Sequence, residues 1–199
     1  MISAIVLGAG LSTRMGALKQ LLPFGARTVI EQVVSTLHDC SVDEIVVVLG
    51  HRHAEVARVL AQWDVRTTFN PNYAEGMLAS LQHGWKNVNP NTDAVMHVLG
   101  DQPQIESRVV QQLIAAYQRG DAGIVAPLFN GRRGHPILLN ARYRDEILGL
   151  RDGATMRDVM RAHANQIREV RVESDNILRD MDTWQEYERE LALREKVFA

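Results

Sequence analysis

The chain has 199 residues, 46% of them hydrophobic and 23% charged, with a formal net charge of −2. That length accommodates one domain with a full hydrophobic core, and the balanced charge argues against a nucleic-acid or membrane partner. No apolar run approaches the ~20 residues of a membrane span, and the N-terminus lacks the charged region of a signal peptide. The single cysteine, Cys40, excludes an intrachain disulfide and predicts a cytoplasmic protein, in which it is a packing residue.

Apolar strands and amphipathic helices alternate along the first two thirds of the chain. We predict strands at short apolar runs, and helices where apolar residues recur every three or four positions. The predicted strands are 2–7, 44–49, 65–69, 93–99, 123–126 and 137–139, and the predicted helices are 28–38, 53–62, 76–86 and 107–119. Continuous apolar strands separated by helices indicate an α/β fold with three layers, α/β/α, around a mostly parallel sheet.

The alternation becomes less regular beyond Asn130. A loop is predicted at 131–136, followed by helices at 142–149 and 155–163. Residues 166–172 alternate between apolar and polar side chains, which is typical of an edge strand. A terminal helix is predicted at 184–196.

The segment LGAGLSTRMGALK (7–19) follows the first predicted strand directly. Because glycine has no Cβ, its backbone N–H can approach a polyphosphate closely, and Arg14 and Lys19 add the positive charge that such a ligand needs. The sequence therefore predicts a phosphate-binding loop. The glycines of this loop are Gly8, Gly10 and Gly16.

Two well-known phosphate loops do not fit this segment. A dinucleotide fingerprint needs a third glycine where Thr13 stands, and the second predicted strand ends in Gly50 with no carboxylate for a ribose. A P-loop needs Gly-Lys-Ser/Thr, but here the glycine is followed by Ala17 and the lysine by Gln20. An ordinary strand-to-helix turn with solvated cations remains as an alternative.

Asp101 follows the apolar strand 93–99 directly. Open α/β sheets bind ligands at the carboxyl ends of their strands, where the phosphate-binding loop is also predicted. A carboxylate at this edge suits Mg²⁺, which takes oxygen ligands and often only one or two carboxylates. The alternative is that Asp101 caps the following helix.

The pattern L-x-x-G-x-S-x-R-M-G-x-x-K-x-L-L-P resembles the signature loop of the MobA-like nucleoside-triphosphate transferases, especially the cytidylyltransferase branch that acts on the molybdenum cofactor. Gly8 departs from that branch, which usually has alanine there, whereas Ala9-Gly10 follows its order. The resemblance implies a Rossmann-like fold of the nucleotide-diphospho-sugar transferase type, with Lys19, Arg14 and Asp101 as catalytic residues. It implies a loop that wraps the triphosphate through Leu7, Gly8, Ala9, Gly10, Ser12, Arg14, Met15, Gly16 and Lys19.

Five further segments extend the resemblance along the chain. Gly100–Pro103 is similar to the family's metal-binding G-D-x-P, and 180–183 is similar to its D-I-D-T, so that Asp101 and Asp182 would bind Mg²⁺, or alternatively Mn²⁺. Residues 70–81 resemble a segment that contacts the nucleotide in the family. Residues 133–136 (R-G-H-P) and, more loosely, residues 151–157 resemble segments that lie toward the acceptor. The additional residues implied are Gly76 and Ser80 for the nucleotide, and Arg133, His135 and Asp152 for the acceptor.

The resemblance implies a single domain, 1–199, in which about 1–105 binds the nucleotide and about 106–199 binds the acceptor. The implied reaction transfers CMP from CTP to molybdenum-bound molybdopterin, with transient delivery to an apo-molybdoenzyme or its chaperone. Guanylyl transfer, nucleotidyl transfer to another phosphorylated small molecule, and a non-catalytic cofactor carrier remain as alternatives. For Asp182 and Thr183, capping of the last helix is the alternative to a metal role.

Overall fold

The computed structural model describes residues 1–151 and 153–198. The strands in chain order are β1 (Ile2–Gly8), β2 (Pro23–Phe24), β3 (Arg27–Thr28), β4 (Glu44–Leu49), β5 (Arg66–Phe69), β6 (Ala94–Leu99), β7 (Ile124–Phe129), β8 (Arg132–Arg133), β9 (Ile137–Asn140) and β10 (Ile167–Arg171). The helices are α1 (Val29–His38), α2 (His53–Leu60), α3 (Met77–Asn87), α4 (Ser107–Gln118), α5 (Arg144–Gly149), α6 (Met156–Ala162) and α7 (Trp184–Phe198).

The central sheet has the strand order β10-β7-β9-β6-β1-β4-β5, with β8 paired to β7. β1 pairs in parallel with both β4 and β6, whereas β9 runs antiparallel between β6 and β7. The predicted mostly parallel sheet is therefore confirmed, and residues 167–171 form an edge strand as predicted. Because β1 and β6 are parallel neighbours, the loops that follow them emerge side by side at one edge of the sheet.

The two faces of the sheet bury separate hydrophobic clusters. In β1, Ala4 and Val6 face a cluster that includes residues of α1 and α4, whereas Ile5 faces Leu81 and Trp85 of α3 on the other side. This alternation follows from the two-residue period of a strand. The predicted three-layer α/β/α architecture is confirmed. Among the described residues, no helix is both long and apolar enough to cross a membrane.

The differences from the predicted elements are confined to short strands and element ends. β2 and β3 form a separate two-stranded hairpin within the stretch predicted to connect the phosphate loop to α1, and β8 lies inside the predicted loop 131–136. Strands of two residues are too short to produce a periodic pattern. Thr28 is the N-cap of α1 and forms a capping box with Glu31, so the helix begins one residue later than predicted.

Cys40 is half-buried, and its thiol donates a hydrogen bond to the Thr36 carbonyl at 3.1 Å. Burial raises the pKa of this thiol to about 11, which leaves it protonated at neutral pH. The interpretation of Cys40 as a packing residue is therefore confirmed.

His97, in the centre of β6, is 1% exposed and lies edge-on to His135, with ring centroids 5.2 Å apart. Within the described part of the chain, neither ring nitrogen of His97 has a hydrogen-bond partner. Burial, and then the neighbouring His135, lower the pKa of His97 from an ordinary value of 6.5 to about 3. The folded protein therefore holds this imidazole neutral under conditions in which the unfolded chain protonates it.

We predict that this histidine makes the fold acid-sensitive. Between pH 6.5 and about 3 the unfolded state binds the extra proton, so stability falls as the pH falls through that window. His97→Met should reduce the loss of unfolding free energy between about pH 7.5 and about pH 5 by about 2 kcal/mol. Urea unfolding at both pH values measures the effect, and His53→Gln, at an exposed position, is the control. An equal loss in wild type and His97→Met would contradict this account.

Candidate active site

The loops after β1 and β6 and the segment before α7 meet around one ammonium group. Lys19 Nζ donates a hydrogen bond to Asp101 Oδ2 and another to Asp182 Oδ1 at 2.8 Å. Arg14 Nη1 donates to the second oxygen of Asp182 at 2.7 Å. Lys19 is only 7% exposed, so this double ion pair is shielded from water on the lysine side. Four charged residues predicted for the site are therefore in direct contact.

The ion pairs determine the charge states of this cluster. Burial alone would lower the pKa of Lys19, but the Asp101 and Asp182 carboxylates outweigh it and the net pKa lies above its ordinary value. The hydrogen bond from Lys19 holds the pKa of Asp182 below its ordinary value. For Asp180, burial and then the nearby Asp101 raise the pKa. At neutral pH the cluster thus pairs a lysine cation with carboxylate anions.

Close backbone packing brings Asp101 to the phosphate loop. The Gly100 N–H donates to the Leu7 carbonyl at 3.0 Å, and a Cβ at position 100 would lie 2.6 Å from that oxygen. Only glycine permits this approach. Asp101 is consequently held beside the start of the loop 7–19.

Two glutamine side chains hold the segment that carries Asp182. Gln102 Nε2 donates to the Arg179 carbonyl at 3.1 Å and to Asp180 Oδ1 at 3.2 Å. Gln104 Nε2 donates to the same Arg179 carbonyl at 2.7 Å. The chain after β6 therefore fixes both carboxylates of the site, one directly and one through the Arg179 backbone.

The first turn of α7 clamps the phosphate loop. Trp184 Nε1 donates to the Met15 carbonyl at 3.0 Å, and the Met15 side chain is buried beside Met181 and Tyr187. Within the loop, Ser12 Oγ accepts a hydrogen bond from the Lys19 N–H at 3.2 Å. The loop is thus stabilised by a hydrogen bond within it, through Ser12, and by a hydrogen bond from the C-terminal segment, through Trp184.

Thr183 caps α7. Its hydroxyl accepts the Glu186 N–H at 3.3 Å, and the Glu186 carboxylate accepts the N–H groups of Asp182 and Thr183, each at 2.9 Å. This reciprocal arrangement is a capping box. The Asp182 side chain takes no part in it and is directed to Lys19 and Arg14.

The residues predicted from the segment 70–81 lie beside the loop rather than in the ion-pair cluster. Ser80 is 3% exposed, and its hydroxyl accepts a hydrogen bond from Asn70 Nδ2 at 3.2 Å. Gly76 is the N-cap of α3, with φ of 107°. The segment reaches the loop through Gly50, where a Cβ would lie 2.6 Å from Tyr73 Cβ and 2.7 Å from the Ala9 carbonyl oxygen.

The two described residues that were predicted for the acceptor, Arg133 and His135, lie in the chain between β7 and β9. Arg133 is exposed and ion-paired with Glu169 at 2.7 Å. The His135 backbone N–H donates to the Ile177 carbonyl at 3.1 Å, and burial lowers the pKa of its ring to about 4. At neutral pH the His135 ring is therefore uncharged. Asp152 lies outside the described residues.

A divalent cation suits the carboxylates of this site. One oxygen of Asp101 and one of Asp182 already converge on a single cation, the Lys19 ammonium. Among the described residues, at this site or elsewhere, no group of three or more histidine, cysteine, aspartate or glutamate side chains gathers to hold a metal. Mg²⁺ retains several waters and uses substrate phosphates as ligands, so two carboxylates are an adequate protein contribution.

Trp184, Gln102 and Gln104 were not predicted from the sequence as residues of the site. Each acts through a hydrogen bond to the backbone of a distant segment, a contact that leaves no local pattern.

A mostly parallel sheet, with a glycine-rich loop and a buried lysine that pairs with two carboxylates at one edge, is typical of a nucleoside-triphosphate transferase. The chain belongs to the family of the MobA-like NTP transferase domain, whose model matches residues 4–167. It is 31% identical over 190 residues to the molybdenum cofactor cytidylyltransferase of Escherichia coli K12, covering 92% of this chain and 91% of that protein.

Solved structures agree with this assignment. A nucleotidyl transferase from Methanothermobacter, Mth528, is 27% identical with a TM-score of 0.86, covering 99% of both chains. Rv0371c from Mycobacterium tuberculosis H37Rv is 26% identical with a TM-score of 0.86, covering 96% of this chain and 97% of that one, and has also been solved with manganese. The fold is of the Rossmann-like nucleotide-diphospho-sugar transferase type, and the family supports nucleotidyl transfer as the class of reaction.

We predict that Trp184→Phe loosens the phosphate loop while leaving the fold intact. The substitution keeps a ring against Tyr187 but removes one hydrogen bond, which contributes about 1 kcal/mol. Backbone amides of residues 14–18 should exchange with solvent about fivefold faster in hydrogen-exchange mass spectrometry. Trp63→Phe, which removes an indole bond to Glu31 rather than one to the loop, is the matched control. Equal exchange in wild type and Trp184→Phe would mean that the indole does not hold the loop.

Proposed function

We propose that this protein transfers CMP from CTP to the terminal phosphate of molybdenum-bound molybdopterin, with release of pyrophosphate. The observation that carries the proposal is the contact of Lys19 with both Asp101 and Asp182 at the end of the glycine-rich loop. The cytidylyltransferase relative, which matches 92% of this chain, supports the base and the acceptor. The proposal includes Mg²⁺ as the cofactor and the cytoplasm as the location, where Cys40 stays reduced.

The reaction needs alignment and charge neutralisation more than covalent help. The acceptor phosphate attacks the α-phosphorus in line, and pyrophosphate leaves from the opposite side. The loop N–H groups, Arg14 and Lys19 neutralise the triphosphate and the departing pyrophosphate. Asp101 and Asp182 would hold the metal ion, which supplies positive charge at the reacting phosphate when bound.

The two parts of the chain divide the substrates in this proposal. Residues from about 1 to 105 bind the nucleotide, and residues from about 106 to 199 bind the acceptor through Arg133, His135 and Asp152. Asp182 belongs to the second part but completes the metal site of the first. We further propose that the product is passed to an apo-molybdoenzyme or its chaperone in a transient contact.

The alternatives to CMP transfer differ in the nucleobase that is transferred or in the acceptor that receives it. Guanylyl transfer to the same acceptor, or nucleotidyl transfer to another phosphorylated small molecule, would use the same loop and metal. A non-catalytic carrier would bind the pterin without needing Lys19, Asp101 and Asp182, and the presence of all three favours an enzyme.

Pyrophosphate release from CTP, GTP, ATP and UTP tests the proposal directly. With Mg²⁺ and molybdenum-loaded molybdopterin, we expect turnover with CTP alone and its loss in Asp101→Asn. Asp93→Asn is the matched control, because it changes a carboxylate at the opposite end of the same strand. Turnover with GTP would assign the guanylyl reaction, and no turnover despite pterin binding would leave the carrier.

We predict that Lys19→Ala lowers kcat about 100-fold or more while the circular dichroism spectrum stays that of the wild type. The reason is that the ammonium stabilises charge that develops only as the triphosphate reacts. Lys86→Ala, at an exposed position on α3, is the control and should turn over normally. A Lys19→Ala enzyme with wild-type kcat would remove Lys19 from the reaction.

A further inference from the structure

We propose that Lys19 is the resident counter-ion of the metal site, which a divalent cation must displace before it can bind both carboxylates. The inference rests on the proposed role of Asp101 and Asp182 as metal ligands. It also gives the order of events at the site. The Lys19 ammonium pairs with the two carboxylates first, and a metal ion replaces it when the triphosphate binds.

The competition follows from which atoms are shared. Lys19 Nζ donates to Asp101 Oδ2 and to Asp182 Oδ1, so one cation bridges the two carboxylates. A divalent ion that bridges them would occupy the same position between the same carboxylates. Two cations cannot hold that position together, because their mutual repulsion is strong at contact distance, above all on the lysine side, which is shielded from water. The metal and the ammonium therefore exclude one another there.

The lysine can leave without unfolding the loop. Its backbone N–H is fixed by Ser12 Oγ at 3.2 Å, whereas its ammonium is at the end of a flexible four-carbon stem. The stem can swing to a triphosphate bound on the loop while the backbone stays in place. A triphosphate thus draws the ammonium away from the carboxylates and opens them to metal, so each ligand strengthens the binding of the other.

Arg14 offers a matched comparison within the same cluster. It also pairs with Asp182, at 2.7 Å, but only through Oδ2, and it does not bridge to Asp101. Its side chain is 70% exposed, against 9% for Lys19. An exposed pair of this kind contributes little and is easily replaced by water. Replacing Arg14 therefore removes one positive charge but leaves the Lys19 ammonium, which competes with the metal, in place.

The first test is the affinity for Mn²⁺ alone, without nucleotide, measured by electron paramagnetic resonance. Lys19→Met should bind Mn²⁺ at least about tenfold more tightly than wild type, and Arg14→Met less than about threefold more tightly. Equal or weaker binding in Lys19→Met would overturn the inference. Equal gains in the two variants would also overturn it, because net charge alone would then explain them.

A second test uses the wild-type protein and does not depend on the stability of a variant. An amine-acylating reagent followed by peptide mass spectrometry reports the accessibility of Lys19, with exposed Lys86 as the internal control. Saturating Mg²⁺ should increase labelling of Lys19 several-fold and leave Lys86 unchanged. Unchanged labelling of Lys19 would show that metal does not displace it.

These outcomes separate the inference from the proposed function. Tighter Mn²⁺ binding by Lys19→Met together with no nucleotidyl transfer by wild type would reject the reaction and retain the exchange. CMP transfer by wild type, together with the same Mn²⁺ affinity in Lys19→Met as in wild type, would retain the reaction and reject the exchange.

Discussion

The structure depends on one buried ammonium group held between two carboxylates that are distant in the sequence. Asp101 and Asp182 are 82 and 163 residues from Lys19, and each is placed by a different element of the fold. A charge that is 7% exposed must be paired, since burial without a partner would cost several kcal/mol. The pairing requires the loop after β1, the end of β6 and the start of α7 to meet at one edge of the sheet.

Because of that requirement, the C-terminal segment packs directly against the loop 7–19. Tyr187 Oη donates to the Pro23 carbonyl at 2.5 Å, and Trp184 Nε1 donates to the Met15 carbonyl. Helix α7 therefore contacts both ends of the segment 15–23. Thr183 and Glu186 cap the helix without using the Asp182 side chain, which leaves that carboxylate available for cations. The site is therefore assembled from both ends of the chain, with the sheet as the support between them.

The sequence predicted the central strands well, because β1, β4 and β6 are buried on both faces and appear as continuous apolar runs. It also predicted that Asp101 lies beside the loop 7–19, since the ends of parallel neighbouring strands share one edge, whereas the position of Asp182 was implied by the family resemblance alone. Residues whose role depends on distant backbone were not predictable: Gln102 and Gln104 act on the carbonyl of Arg179, and Trp184 on that of Met15. The contact of His97 with His135 was also missed, because it crosses from one strand to the loop before another.

The most direct test of this account is a crystal structure with Mn²⁺ and a non-hydrolysable CTP analogue. We expect an anomalous peak between the carboxylates of Asp101 and Asp182, with the Lys19 ammonium moved from them to the phosphates. A peak elsewhere, or a Lys19 ammonium still bridging both carboxylates with the analogue bound, would contradict it.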